Sequence, residues 1–69
     1  MIEIGKRNIR VGPQEFKGRW LIHIRQWFEK DGKMLPGKGI ALNLEEWQEF
    51  LEKLPELKKL VKEETEQPF

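Results

Sequence analysis

The sequence changes its period at Asn43, and that change limits the fold more than any other feature. Ahead of it, Gly18 to Phe28 alternates every second residue: Trp20, Ile22, Ile24 and Phe28 fall in one phase, Arg19, Leu21, His23, Arg25 and Trp27 in the other. That is the pattern of a strand with one apolar side. Beyond it, Leu44, Trp47, Leu51 and Leu54 follow helical spacing with Phe50 beside them, while Glu45, Glu46, Gln48, Glu49 and Glu52 fill the other side. Asn43-Leu44-Glu45-Glu46 places a capping residue first and a glutamate three positions on, with two carboxylates in the first turn.

The strand half holds more than one strand. Ile2 and Ile4 share one phase and Ile9 and Val11 the opposite one, so a strand over 2–11 needs a register shift, for which Gly5 is the natural bulge. Gly12-Pro13 signals a turn, Gly18 a bend, Asp31-Gly32 a hairpin turn and Pro36-Gly37 another turn. Ile40 and Leu42 then stand in phase on a short fourth strand. The predicted order is ββββα, an α+β fold in which the helix covers one side of the sheet and leaves the other free. Pro55 should kink or break the helix near Leu54, with Leu57, Leu60 and Val61 continuing the apolar stripe. The expected organisation is a single domain over residues 1–62 and a polar, frayed tail over 63–69.

Charge divides at nearly the same place as period. Met1 to Gly39 carries nine Lys/Arg against four acids, a net +5; Ile40 to Phe69 carries four lysines against eight glutamates, a net −4. A basic sheet with an acidic helix suits a polyanion on one side. At 69 residues without cysteine the chain cannot be stapled by disulfides or thiolate-bound metal. Packing and self-association are the routes left to enlarge its core, so a homodimer is expected, with Leu44, Trp47, Leu51, Leu54, Leu57 and Val61 in the interface. The apolar runs are far too short for a membrane span or a signal-peptide core. A soluble protein is expected, cytoplasmic or nucleoid-associated, or nuclear in a eukaryote.

Catalytic chemistry has few candidates. Serine, cysteine and tyrosine are absent, Thr65 is the only residue with a side-chain hydroxyl, and His23 is the only histidine. A nucleophile is therefore lacking, His23 has no acidic partner in its phase, and the clustered glutamates read as a solvated helix surface. Neither an enzyme, a metal site nor a cofactor is expected. What the sequence does offer is cations interleaved with rings: Lys6, Arg7, Arg10, Phe16, Lys17, Arg19, His23, Arg25, Trp27, Phe28, Lys33 and Lys38. Cations follow phosphates, and rings stack on bases that a duplex would hide, so the combination points to single-stranded nucleic acid. Trp20 shares phase with Ile22 and Ile24 and is expected in the core. Trp27 shares phase with Arg19 and Arg25 and is expected to be exposed. Phe28 is open: alternation buries it, whereas a bend after Arg25 would turn it out.

The run Glu15 to Phe28, with Phe16-Lys17-Gly18 at its start, resembles the core strand of the positive cofactor four family of transcriptional coactivators. The likeness continues through Lys33 to Asn43 and ends at Glu46-Trp47, with Ile4-Gly5-Lys6 resembling the start of that domain. It implies a curved four-stranded antiparallel sheet, a kinked helix, dimerisation partly through the helices, and a groove for single-stranded or melted DNA. By motif, Phe16, Lys17, Arg19, Arg25 and Phe28 fall on DNA-contacting positions and Lys38 on a basic loop. Departures are His23 for a usual aspartate, Phe28 for a usual tryptophan, Leu35 for a common lysine, and no serine-rich segment, which suggests a minimal prokaryotic, viral or excised version. The implied function is non-enzymatic binding of single-stranded DNA in transcription. RNA binding on the same surface, and docking of the acidic helix on transcription or repair proteins, are the alternatives.

Overall fold

A computed structural model describes residues 1–68. Four strands and one helix follow in the expected order: β1 (Ile2–Ile4), β2 (Ile9–Phe16), β3 (Arg19–Lys30), β4 (Lys33–Leu42) and α1 (Leu44–Thr65). The sheet is an antiparallel meander in the order β1-β2-β3-β4.

The boundaries differ from the sequence reading in instructive ways. Residues 2–11 do not form one bulged strand. The chain reverses through Gly5–Asn8, and Ile2 pairs with Val11 and Ile4 with Ile9. The opposite phases of Ile2/Ile4 and Ile9/Val11 are the signature of a hairpin, whose arms put all four side chains on one side of the sheet. Gly12-Pro13 is not a turn either; both residues lie within β2, paired with His23 and Ile22. β1 has ended by then, so β2 is an edge strand at Pro13 and the missing N–H removes no ladder bond. The reversal falls instead at Lys17-Gly18, which joins Phe16 to its partner Arg19 with φ of 50° and 76°. Asp31-Gly32 does the same between Lys30 and Lys33, with φ of 52° and 77°. Positive φ at both central residues is what a two-residue hairpin loop of matching twist requires.

Pro36-Gly37 is likewise not a turn but part of β4, again an edge strand. Arg25 pairs with Gly39 and Trp27 with Pro36, so Gly37 and Lys38 together face Gln26 across a bulge. Glycine is needed there. A Cβ at Gly39, where φ is +150°, would come within 2.1 Å of the Arg25 Cβ, and one at Gly37 within 2.8 Å of the Gln26 carbonyl.

The capping box of α1 is complete. Asn43 Oδ1 accepts from the Glu46 N–H at 2.7 Å, and Glu46 Oε1 accepts from the Asn43 N–H at 3.0 Å. Pro55 does not break the helix, which is continuous from Leu44 to Thr65. The carbonyl it leaves without a donor belongs to Leu51, an exposed residue. Three residues of the segment expected as a tail, Glu63 to Thr65, continue α1.

The helix packs on β3 and β4. Trp47 lines a hollow with Ile2, Val11, Pro13 and Ile22, and Phe50 lines another with Ile24, Ile40 and Leu42. The two rings stack, with centroids 6.0 Å apart. Within this layer only Ile22, 6% exposed, is a buried large apolar side chain among the described residues. Trp20 does not join it: the indole is 51% exposed, beside Asn43, Leu44 and Glu45 at the start of the helix. It shares phase with the core but lies near the hairpin tip, beyond what one helix covers. The chain exposes 6154 Å², whereas a folded monomer of its mass exposes about 4,600 Å².

Candidate nucleic-acid interface

β2 and β3 stay in constant register from Ile9–Gln26 to Phe16–Arg19. Residues directly opposite each other share a side of the sheet. Arg10, Phe16, Arg19, His23, Arg25 and Trp27 therefore stand together on the side away from α1. Lys6 and Arg7 lie in the β1–β2 loop, Lys17 in the β2–β3 turn, and Lys38 in the β4 bulge. Phe28 and Lys33 fall in the opposite phase, paired with Leu35 and Lys30.

Phe28 satisfies neither simple expectation. Its phase is that of Ile22 and Ile24, yet it is 45% exposed, because β3 runs on past the helix that covers those residues. The ring lies near the Gly37 backbone, and with Asn8, Gln26, Trp27 and Lys38 it lines one cleft at the bulge. Phe16 is 59% exposed at the hairpin tip, with the Lys17 ammonium 5.4 Å from its ring centroid. One free ring thus lies near each end of β3: Phe16 on the open side, and Phe28 in the phase of the helix side but past the reach of α1. Trp27 is different. It is half-buried, and the Arg10 guanidinium carbon lies 5.5 Å from its ring centroid.

Three bonds tie the basic loops to this surface. Gln26 Nε2 donates to the Arg7 carbonyl at 2.9 Å, and the Trp27 N–H to the Asn8 carbonyl at 2.8 Å. Arg25 Nη1 donates to the Gly37 carbonyl at 3.1 Å. Gln26, Asn8 and Gly37 were not among the candidates read from the sequence. For Gln26 a signal existed, since it is a polar residue in the phase of Ile22, Ile24 and Phe28; for Asn8 and Gly37 there was none. Along the half-buried middle of the surface, His23 Nδ1, Arg25 Nε and Trp27 Nε1 have no hydrogen-bond partner. His23 sits opposite Gly12 and Ala41. Its pKa is lowered below the usual histidine value, first by burial and then by the Arg25 charge, so it is neutral at pH 7. No carboxylate forms an ion pair with these cations: among the described residues, the ion pairs are Lys53–Glu49 and Lys59–Glu63, both on α1.

Residues 2–53 match the family model described as transcriptional coactivator p15 (PC4). The chain belongs to the PC4 family. It is 48% identical over 54 residues to the RNA polymerase II transcriptional coactivator KELP of Arabidopsis thaliana, covering 77% of this chain and 33% of that protein. It is 40% identical over 58 residues to the RNA polymerase II transcriptional coactivator of Drosophila melanogaster, covering 83% of this chain and 51% of that protein. The chain thus spans a third to a half of these relatives. Among solved structures, a MoSub1–ssDNA complex in phosphate buffer superimposes with a TM-score of 0.83 at 34% identity, over 91% of this chain and 76% of that one. A second MoSub1–DNA complex, described as revealing a novel DNA-binding mode, gives 0.81 at 34% identity, over 91% and 80%.

The PC4 match ends at Lys53, two residues before Pro55, so the last three turns of α1 lie past the matched span. There Leu54, Leu57, Leu60 and Val61 are all exposed. No described helix is long and apolar enough to cross a membrane. No group of three or more His, Asp or Glu among the described residues is placed to hold a metal ion.

Proposed function

We propose that this chain is a non-enzymatic, homodimeric module that binds single-stranded DNA on the open side of its sheet and acts as a transcriptional coactivator on unpaired DNA. The observation that carries the reading is the superposition on a MoSub1–ssDNA complex, and on a second MoSub1–DNA complex, of a sheet whose uncovered side holds Arg10, Phe16, Arg19, Arg25 and Trp27 without a paired carboxylate. Lys6, Arg7, Lys17 and Lys38 border that surface and follow the phosphates; Phe16 and Phe28, the two free rings, stack on bases. Lys33 adds charge at the far hairpin. The coactivators of Arabidopsis and Drosophila support a role with the transcription machinery and, in a eukaryote, a nuclear location.

The dimer rests on area. The exposed stripe Leu51, Leu54, Leu57, Val61 is apolar surface that a second copy would remove from water, and the total accessible surface is about a third above that of a monomer of this mass. Leu44 and Trp47 begin that stripe, though Trp47 also packs on its own sheet.

Fluorescence anisotropy with oligo-dT, the matching oligoribonucleotide and a duplex of equal length tests the function. Single-stranded DNA should bind far more tightly than duplex. If about five phosphates are neutralised, log K should fall against log salt with a slope near −3.5, at roughly −0.7 per phosphate. A flat salt response or equal affinity for duplex refutes the reading, and tighter binding of the oligoribonucleotide transfers the surface to RNA.

A further inference from the structure

Trp27 bears the larger ring on the open surface, yet one side of its indole is already occupied. The Arg10 guanidinium carbon lies 5.5 Å from the ring centroid, within the range of a cation–π contact. Arg10 is also the direct cross-strand partner of Arg25, and like charges in that relation repel. The cross-strand row reads Glu3, Arg10, Arg25, Gly39. Glu3, its one carboxylate, forms no ion pair with either arginine.

Neutral groups hold the pair in place. Trp27 supports Arg10. The Gly37 carbonyl accepts from Arg25 Nη1 at 3.1 Å, and Gly39 lets β4 come close enough, since a Cβ there would collide with Arg25. Two cations held side by side by an indole and a carbonyl keep their remaining N–H groups for an anion. A guanidinium fork matches the geometry of phosphate oxygens.

We propose that Arg10 and Arg25 form a preorganised phosphate seat, and that Trp27 is the positioning residue that holds Arg10 in it. Trp27 is then not a base-stacking ring, a role left to Phe16 and Phe28. The proposal rests on the single-strand reading of this surface and assigns its central phosphate contact.

The test is oligo-dT binding across a salt series for the wild type, Arg10→Gln, Trp27→Met and the double variant, with melting temperatures recorded. Arg10→Gln should flatten the slope by about 0.7 and weaken binding about fivefold at 0.1 M salt, the factor that one phosphate contributes between 1 M and 0.1 M. Trp27→Met should do the same through Arg10, and the double variant should lose no more than either single one. A Trp27→Met loss at unchanged slope, or losses that multiply to about 25-fold, would overturn the seat and make Trp27 a stacking ring. Proton NMR of the free wild type supplies an arm independent of any variant. The Arg10 side-chain methylenes should be shifted upfield by the indole, and random-coil positions would refute the contact. A wild type that does not bind oligo-dT removes the single-strand reading, while the NMR arm still decides whether Trp27 seats Arg10.

Discussion

The two sides of the sheet solve opposite problems. On the helix side, Ile22, Ile24, Val11 and Leu42 meet Trp47 and Phe50, and the layer is too thin: one helix leaves Ile2, Ile4, Ile40 and Trp20 exposed. On the other side, cations stand on a surface whose half-buried residues His23, Arg25 and Trp27 each keep a buried polar atom without a partner, and no helix covers it. The first is unfinished with respect to apolar area and the second with respect to charge. Under the proposed function, a second copy of the chain would complete one and a polyanion the other. The same short sequence can serve both because strand alternation keeps the two demands on separate sides.

Breaking the helix side should have the largest effect. Leu51→Glu or Leu57→Glu places an unpaired carboxylate in the proposed interface, where burial costs several kcal/mol. Sedimentation should then show a monomer or an unfolded chain. A wild type that is monomeric at micromolar concentration refutes the dimer, and the excess exposed surface would need another partner.

Next come the rings. Phe16→Ala and Phe28→Ala should each weaken oligo-dT binding by roughly 1–3 kcal/mol with the salt slope unchanged. Because both are near half-exposed or more, the melting temperature should hold. A lower melting temperature with unimpaired binding for Phe28→Ala would return that residue to the apolar side of the comparison.

The smallest expected effect is that of His23. Its pKa lies below the reference of 6.5, through burial and Arg25; the groups opposite it, Gly12 and Ala41, carry no charge. The unfolded state therefore takes up the proton first, and the stability contributed by neutral His23 is lost as pH falls from 6.5 through the folded value. Bound DNA adds phosphates that favour the protonated form, so affinity should rise as pH falls from about 7.5 to 5.5. His23→Asp should abolish that rise, and an identical profile in the variant would show that His23 does not face the DNA.

Much of this was legible from local pattern. The Asn43 cap, the Asp31-Gly32 turn, the alternation through β3 and the helical stripe all depend on interactions within a few residues, which sequence spacing reports directly. Of the candidate interface, the phase shared by Arg19, His23, Arg25 and Trp27 was legible, whereas strand pairing was needed to add Arg10 and Phe16 to that side. Gly12-Pro13 and Pro36-Gly37 misled because proline is excluded only from strands paired on both sides, and whether a strand is an edge is not a local property. Trp20 misled because phase specifies a side of the sheet, not whether the helix reaches that far.

The amino-acid sequence thus determined by itself the order of strands and helix, the separation of charge and the two phases of β3, since these follow from composition, backbone periodicity and capping. Only the tertiary structure decided that Gly37 and Lys38 form a bulge beneath Arg25, that Arg10 lies on Trp27, and that Phe28 is free. These depend on which strands pair and on where the helix ends over the sheet, relations between residues 12 or more positions apart that no local pattern encodes.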